Sequence, residues 1–300
     1  MKKNSYVRTD LAAELPVSEG IARQNGIKVS TEIIDQTEIC TVTVSEGKGE
    51  AVLGKPAGRY VTLSFEKLWL LTASRRDKIA KIISSLITDT ALRLTKGKKL
   101  NNILVAGLGN RFITADAVGP LTVKKITVTG HLQKNTPEIF KALECHSVSA
   151  IAPGVLAQTG IESFSLIKGA AEVSTPDLVI AVDALAAQSP DRLATTLQLC
   201  DTGIAPGSGI GNRRHALNQS TLGIPVIAIG VPTMISSSTL VYTALEKAGI
   251  KEIGHGLASI LENGKSFFVT LNESDRVVDL YSDLIADGIN KAFGGAASAE

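Results

Sequence analysis

The apolar positions change rhythm along the chain. Residues 28–34, 39–44 and 60–65 are short β-rich stretches separated by Gly- and Lys-rich turns, and Val61, Leu63 and Phe65 alternate in the last. Period-two alternation marks a strand with one buried face. Ser74, with Asp77 three residues on, resembles a capping box. Ile79, Ile82, Ile83, Leu86 and Ile87 then recur at helical spacing and make one apolar face. Lys96-Gly97-Lys98-Lys99 closes this helix with cations, where the macrodipole favours them.

Beyond residue 101 the alternation gives way to continuous apolar runs at 103–106, 178–182 and 225–229, each followed by Gly, Asp or Pro. Such runs suit strands buried on both faces of a parallel sheet. The intervals between them are long enough for helical crossovers. Ser147–Ile151 is a further candidate strand, and 272–293 a final helix with Val277, Leu280, Tyr281, Leu284 and Ala292 on one side. The tail 294–300 is expected to be loose. No internal repeat and no Pro- or Ser-rich linker divides the chain. The expectation is one α/β domain, a mostly parallel sheet flanked by helices, with a β-rich part at about 28–66.

Composition narrows the class. Of 300 residues, 44% are hydrophobic and 20% charged, so the chain can bury enough apolar surface to fold. With 31 Lys and Arg against 29 Asp and Glu, no broad field draws in nucleic acid or anionic lipid. No apolar run approaches the ~18 residues of a membrane helix. The opening MKKNSYVRTDLAAEL has no apolar core behind its lysines, unlike a secretory signal. Cys40, Cys145 and Cys200 are an odd set without metal-ligand spacing, which reads as buried thiols in a reducing, cytoplasmic setting.

Several motifs compete as carriers of chemistry. Val105-Ala106-Gly107-Leu108-Gly109-Asn110 runs a strand into a Gly-rich turn. A dinucleotide fingerprint needs a third Gly at 112, where Phe stands. The same turn resembles the start of peptidyl-tRNA hydrolases, but Arg111-Phe112 follows and the nearest downstream His is His131. A plain tight turn is the third reading. Gly207-Ser208-Gly209-Ile210-Gly211 could line a cleft with backbone N–H groups, beside Arg213 and Arg214, yet it lacks the Gly-Lys-Ser/Thr of a nucleotide loop. Asp201-Thr202-Gly203 carries the aspartic-protease tripeptide once, in a chain without an all-β pattern. His131, His146, His215 and His255 are scattered without metal spacing, and no Gly-x-Ser-x-Gly elbow is present.

Asp116 and Asp183 remain. Asp183 follows the apolar run 178–182, and Asp116 sits ten residues past the run 103–106. The carboxyl ends of parallel strands collect at one edge, where sites form. Two carboxylates brought close there share a proton and act as acid and base. The competing reading is that each Asp caps a helix.

The motifs also form an ordered series. Val7-Arg8-Thr9-Asp10-Leu11-Ala12, Gly107–Asn110, Asp116-Ala117-Val118-Gly119-Pro120, Ala150-Ile151-Ala152-Pro153-Gly154-Val155 and Thr159-Gly160-Ile161-Glu162 come first. Ile180-Ala181-Val182-Asp183-Ala184-Leu185, Asp201-Thr202-Gly203-Ile204-Ala205-Pro206 and Gly223-Ile224-Pro225-Val226-Ile227 follow. Together they resemble the germination protease family of spore-forming bacteria, most densely over residues 101–235.

The resemblance implies an α/β fold similar to hydrogenase maturation proteases. It implies an endopeptidase that degrades small acid-soluble spore proteins in the spore core during germination. It also implies a homotetramer made as a self-processing zymogen. The family's two active-site aspartates match Asp116 and Asp183. The processing bond matches Asp10–Leu11, making 1–10 a propeptide and 11–300 the endopeptidase domain. No cofactor, metal, direct nucleic-acid partner or membrane is implied. Against the family, the chain lacks an insert between roughly 241 and 267, and its first 75 residues diverge. The alternatives are a metal-dependent maturation protease of related fold and a peptidyl-tRNA hydrolase-like or nucleotide-binding protein.

Overall fold

In the computed structural model, nine strands join into one sheet among the described residues, which are 7–15, 25–205, 215–250, 253–264 and 267–294. They are β1 (Ile27–Ile34), β2 (Thr37–Val44), β3 (Gly58–Ser64), β4 (Asn102–Gly107), β5 (Ser147–Ile151), β6 (Leu178–Ala186), β7 (Thr196–Cys200), β8 (Val226–Ser236) and β9 (Phe268–Val269). The order is β1-β2-β3-β7-β8-β6-β4-β5, with β9 pairing β8 off this path. β5, β4, β6 and β8 are mutually parallel and contain the continuous apolar runs. From β8 outward through β7, β3, β2 and β1 every pairing is antiparallel, so the antiparallel half is larger than a mostly parallel sheet would have. The β-rich N-terminal stretches therefore extend the same sheet. β7 is the splice between the halves, and its short Thr-Leu-Gln-Leu-Cys alternation gives little sequence signal.

Two helices cover one face: α1 (Ala73–Leu94) and α6 (Ser274–Phe293). Ile79, Ile83 and Ile87 of α1 and Val277, Tyr281 and Ile285 of α6 pack on Val61, Leu63, Val105, Ile180, Val182, Leu197 and Ile229. Each of those three isoleucines is fully buried, an upper contribution of about 1.5–3 kcal/mol apiece. The helices cross closely because a Cβ on Gly288 would run into Ile83. Thr72, not Ser74, caps α1: its hydroxyl accepts the Arg75 N–H at 3.2 Å. Asp77 lies inside the helix and bonds Lys81 and Lys291 of α6.

The opposite face presents Leu104, Ala106, Val179 and Ala181 to Ile167 and Ala171 of α3 (Ser163–Ser174). α2 (Val118–Lys124) lies on the strand ends, where Gly107 and Gly119 meet backbone to backbone; a Cβ on either would strike the other segment. α4 (Ser237–Lys247) and α5 (His255–Gly264) follow β8. Among the described residues no helix is long and apolar enough to cross a membrane.

Candidate active site

β4 stops at Gly107 opposite Val182, but β6 runs on to Ala186. Asp183 is thus the first residue of β6 beyond the end of its neighbour, inside a strand rather than at a helix start. Past β4 the Leu108 N–H still donates to the Val182 carbonyl at 2.8 Å. Gly109 then turns with φ +110°, a left-handed conformation that L side chains resist.

The next N–H, that of Asn110, donates to Asp116 Oδ2 at 2.7 Å. Asp116 closes a 3-10 turn, Thr114–Asp116, held to β8 because Thr233 Oγ1 donates to the Ala115 carbonyl at 2.6 Å. Thr114 Oγ1 donates to Asp275 at the start of α6 at 2.7 Å. Ala117 occupies the N-cap of α2, without a side-chain cap bond. Neither aspartate is therefore a helix cap. Asp183 follows Val182 directly, and the Asn110 N–H that holds the Asp116 carboxylate lies two residues past Leu108, about 7 Å of chain at most.

Asp183 is 6% exposed, and one of its oxygens accepts the Ala184 N–H at 2.9 Å. Across the sheet it pairs with Gly230, which pairs with Gln198 of β7. Asp183 and Gln198 project from the same face, opposite the α1 and α6 layer, with a glycine between them.

The segment carrying Thr9-Asp10-Leu11-Ala12 lies at this edge. The Asp10 N–H donates to the Ala186 carbonyl at 2.9 Å, and Asp10 Oδ2 accepts the Ala186 N–H at 2.9 Å. Even-numbered residues of β6 point their backbone toward β4, so Asp10 occupies the edge that β4 leaves open. Leu11 is fully buried with Leu185, Ala187, Leu193 and Ile235. Glu14 accepts the N–H groups of Gln188 and Ser189 at 2.7 and 2.9 Å. The Asp10 carbonyl accepts from Lys55 Nζ at 2.7 Å and from Gln198 Nε2 at 3.2 Å.

The other candidates have structural employment. In the Gly107–Asn110 turn, the Leu108 and Asn110 N–H groups serve Val182 and Asp116. A bound phosphate would face the Asp116 carboxylate, which disfavours the nucleotide reading. Asp201 accepts the Arg59 N–H at 2.7 Å and bonds Arg93 at 3.4 Å, tying β7 to β3 and α1. Burial pushes the Cys200 thiol above its ordinary pKa, partly offset by the Thr202 hydroxyl. His146 packs edge-on against Phe293, and His215 bonds Glu162 while stacking on Phe164. The 207–211 loop, Arg213 and Arg214 lie outside the described residues. No group of three or more His, Cys, Asp or Glu poised to hold a metal occurs among the described residues.

Lys55, Gln198 and Thr233 carry no sequence signature of a site. The closest to one is Gln198, an amide set between Leu197 and Leu199 in an otherwise apolar strand.

Comparison with known proteins places the chain. A model of the germination protease family matches residues 9–259. The germination protease of Caldanaerobacter subterraneus is 40% identical over 310 aligned residues, covering 96% of this chain and 94% of its own. That of Clostridium acetobutylicum is 36% identical, covering 96% and 95%. The Bacillus subtilis protein is 41% identical over 79% of this chain but only 66% of its own length. The shorter form of the chain is thus shared by part of the family. Among solved structures, a hydrogenase maturation protease from Thermococcus kodakarensis gives a TM-score of 0.32 at 16% identity, over 67% of this chain and 98% of that one. The chain belongs to the germination protease family and is a peptidase.

Proposed function

We propose that the chain is an endopeptidase of small acid-soluble spore proteins in which Asp116 and Asp183 act as one acid–base pair. In this reading it is made as a zymogen that cuts its own Asp10–Leu11 bond. It works in the spore core as a homotetramer, without a cofactor and without direct contact with nucleic acid or membrane. One observation carries the reading: the Asp10–Leu11 peptide lies against Ala186, three residues from Asp183, at the strand edge where the Asp116 turn is anchored.

The chemistry follows from that placement. Two neighbouring carboxyls hold one proton between them, because ionising both in one partly buried site is unfavourable. The ionised partner takes a proton from water as the water oxygen attacks the Asp10 carbonyl carbon. The protonated partner delivers its proton to the Leu11 nitrogen as the C–N bond breaks. The products are the Asp10 carboxylate and a new amino terminus at Leu11.

Intact mass of purified wild type, Asp116→Asn and Asp183→Asn, before and after incubation at mildly acidic pH, tests this. The expected result is loss of residues 1–10 in wild type alone, with spore-protein cleavage abolished in both variants. Substantial turnover by either variant would overturn the pair.

A further inference from the structure

Gln198 is nine-tenths buried and makes two bonds to one short segment. Its Oε1 accepts the Ala12 N–H at 2.7 Å, and its Nε2 donates to the Asp10 carbonyl at 3.2 Å. An amide N–H can only donate, so the Ala12 bond fixes which end of the glutamine amide faces the Asp10 oxygen. Lys55 follows Gly54, whose left-handed φ of +67° ends the short helix Lys48–Leu53. From there its ammonium reaches the same oxygen at 2.7 Å. One carbonyl oxygen thus receives a cationic and a neutral donor from two separate elements.

We infer that Lys55 and Gln198 are catalytic residues that stabilise the oxyanion formed when the Asp10–Leu11 bond is attacked. The inference rests on the proposed cleavage of that bond. As water adds to the carbonyl carbon, the C=O π pair moves onto oxygen, which gains a full negative charge. When the C–N bond breaks, the pair returns to re-form C=O and the proton from the carboxyl pair leaves with the Leu11 amine. A donor aimed at that oxygen acts more strongly on the charged intermediate than on the neutral amide, which lowers the barrier. An ammonium gains most from the change because its interaction is with net charge. Two Gly-rich stretches, 107–109 and 207–211, are alternative sources of backbone donors, and the second lies outside the described residues. In the first, the Leu108 N–H and the adjoining Asn110 N–H are already committed to Val182 and Asp116.

The test is the first-order rate of residue 1–10 loss in the full chain, followed by intact mass, for wild type, Lys55→Met, Lys55→Arg, Gln198→Glu and Asp183→Asn. Gln198→Glu keeps the acceptor for Ala12, removes the amide donor and sets a carboxylate oxygen against the developing oxyanion. Removing one oxyanion donor is expected to slow cleavage by about 10²-fold. Lys55→Arg is expected to recover part of the loss. Amide-exchange protection of Asp10 and Ala12, measured in parallel, is expected to stay at the wild-type level in Lys55→Met and Gln198→Glu.

Wild-type rates in both variants would overturn the inference, as would slowed cleavage accompanied by lost protection, which marks mere docking. Asp183→Asn cutting at the wild-type rate would instead overturn the two-aspartate reading, with the Lys55 and Gln198 rates still deciding their own role. A wild type that never cuts the bond would overturn both.

Discussion

The Asn110 N–H and the Asp116 carboxylate are bonded at 2.7 Å across six residues, so the turn that leaves β4 holds the acid it precedes. Gly109 makes this bond possible. A Cβ there would strike the Asp116 carbonyl, and its φ of +110° is one that L residues rarely adopt. Gly109→Ala is expected to lose about 1–3 kcal/mol of stability and to lose protease activity along with it. Urea denaturation and a cleavage assay on the same preparation check this; wild-type activity would detach the turn from the site.

Thr233 performs a related task from β8. Its hydroxyl is buried on the Ala115 carbonyl, and Thr233→Val keeps the shape while leaving that carbonyl unpaired. The expected loss is about 1–3 kcal/mol, with slower cleavage because the Asp116 turn loses its tie to the sheet. Thr233→Ser, which retains the hydroxyl, is expected to lie close to wild type in both thermal denaturation and rate.

Tyr281 completes the ladder where β7 and β8 part. Continuing the register from Gln198↔Gly230 sets Thr196 opposite Pro232, which has no N–H to give. The Tyr281 hydroxyl takes that place, accepting the Thr196 N–H at 3.0 Å and donating to its carbonyl at 2.8 Å. Tyr281→Phe leaves both buried groups unsatisfied, and about 2–3 kcal/mol of stability is expected to be lost. Chemical denaturation measures it, and a loss no larger than that of a surface substitution would refute this role.

Asp77 supplies a pH test. Hydrogen bonds from Lys81 and then Lys291 hold its carboxyl below the ordinary carboxylate range. A depressed folded pKa gives stability that is present above the unfolded value, about 3.9 for Asp, and is lost as pH falls through the lowered one. The pair is substantially exposed, so Asp77→Asn is expected to lose at most about 1 kcal/mol at neutral pH. The gap from wild type should close below about pH 4 and shrink with added salt. Thermal denaturation across pH and ionic strength measures both.

How much of this was legible in the sequence depends on where the signal resides. The runs at 103–106, 178–182 and 225–229 announce their strands because both faces are buried and every side chain must be apolar. Asp183 stood out for the same reason, as a carboxylate directly after such a run. The strand nonetheless continues to Ala186, since the end of β4 leaves that part of β6 free to take a polar side chain. β7 was illegible: five residues with Thr and Gln facing inward look like a loop. The α1 cap lies at Thr72 rather than Ser74 because Thr72, Ser74 and Asp77 offer overlapping cap patterns, and only the Arg75 bond selects among them. Lys55 and Gln198 meet over one carbonyl from sites 143 positions apart, a relation that local pattern does not encode.

The Asp10 segment is tethered to the strand edge it occupies, so its local concentration is of order millimolar whatever the bulk concentration of protein. Severing the chain at Asp10–Leu11 would abolish that tether on the amino side. Leu11, Ala12 and Glu14 would keep their anchorage, while a ten-residue fragment would have to rebind from dilute solution. Rebinding of that fragment from dilute solution would be negligible. A single hydrolysis would therefore act as a ratchet, with reversal opposed by diffusion as well as by the free energy of the broken amide.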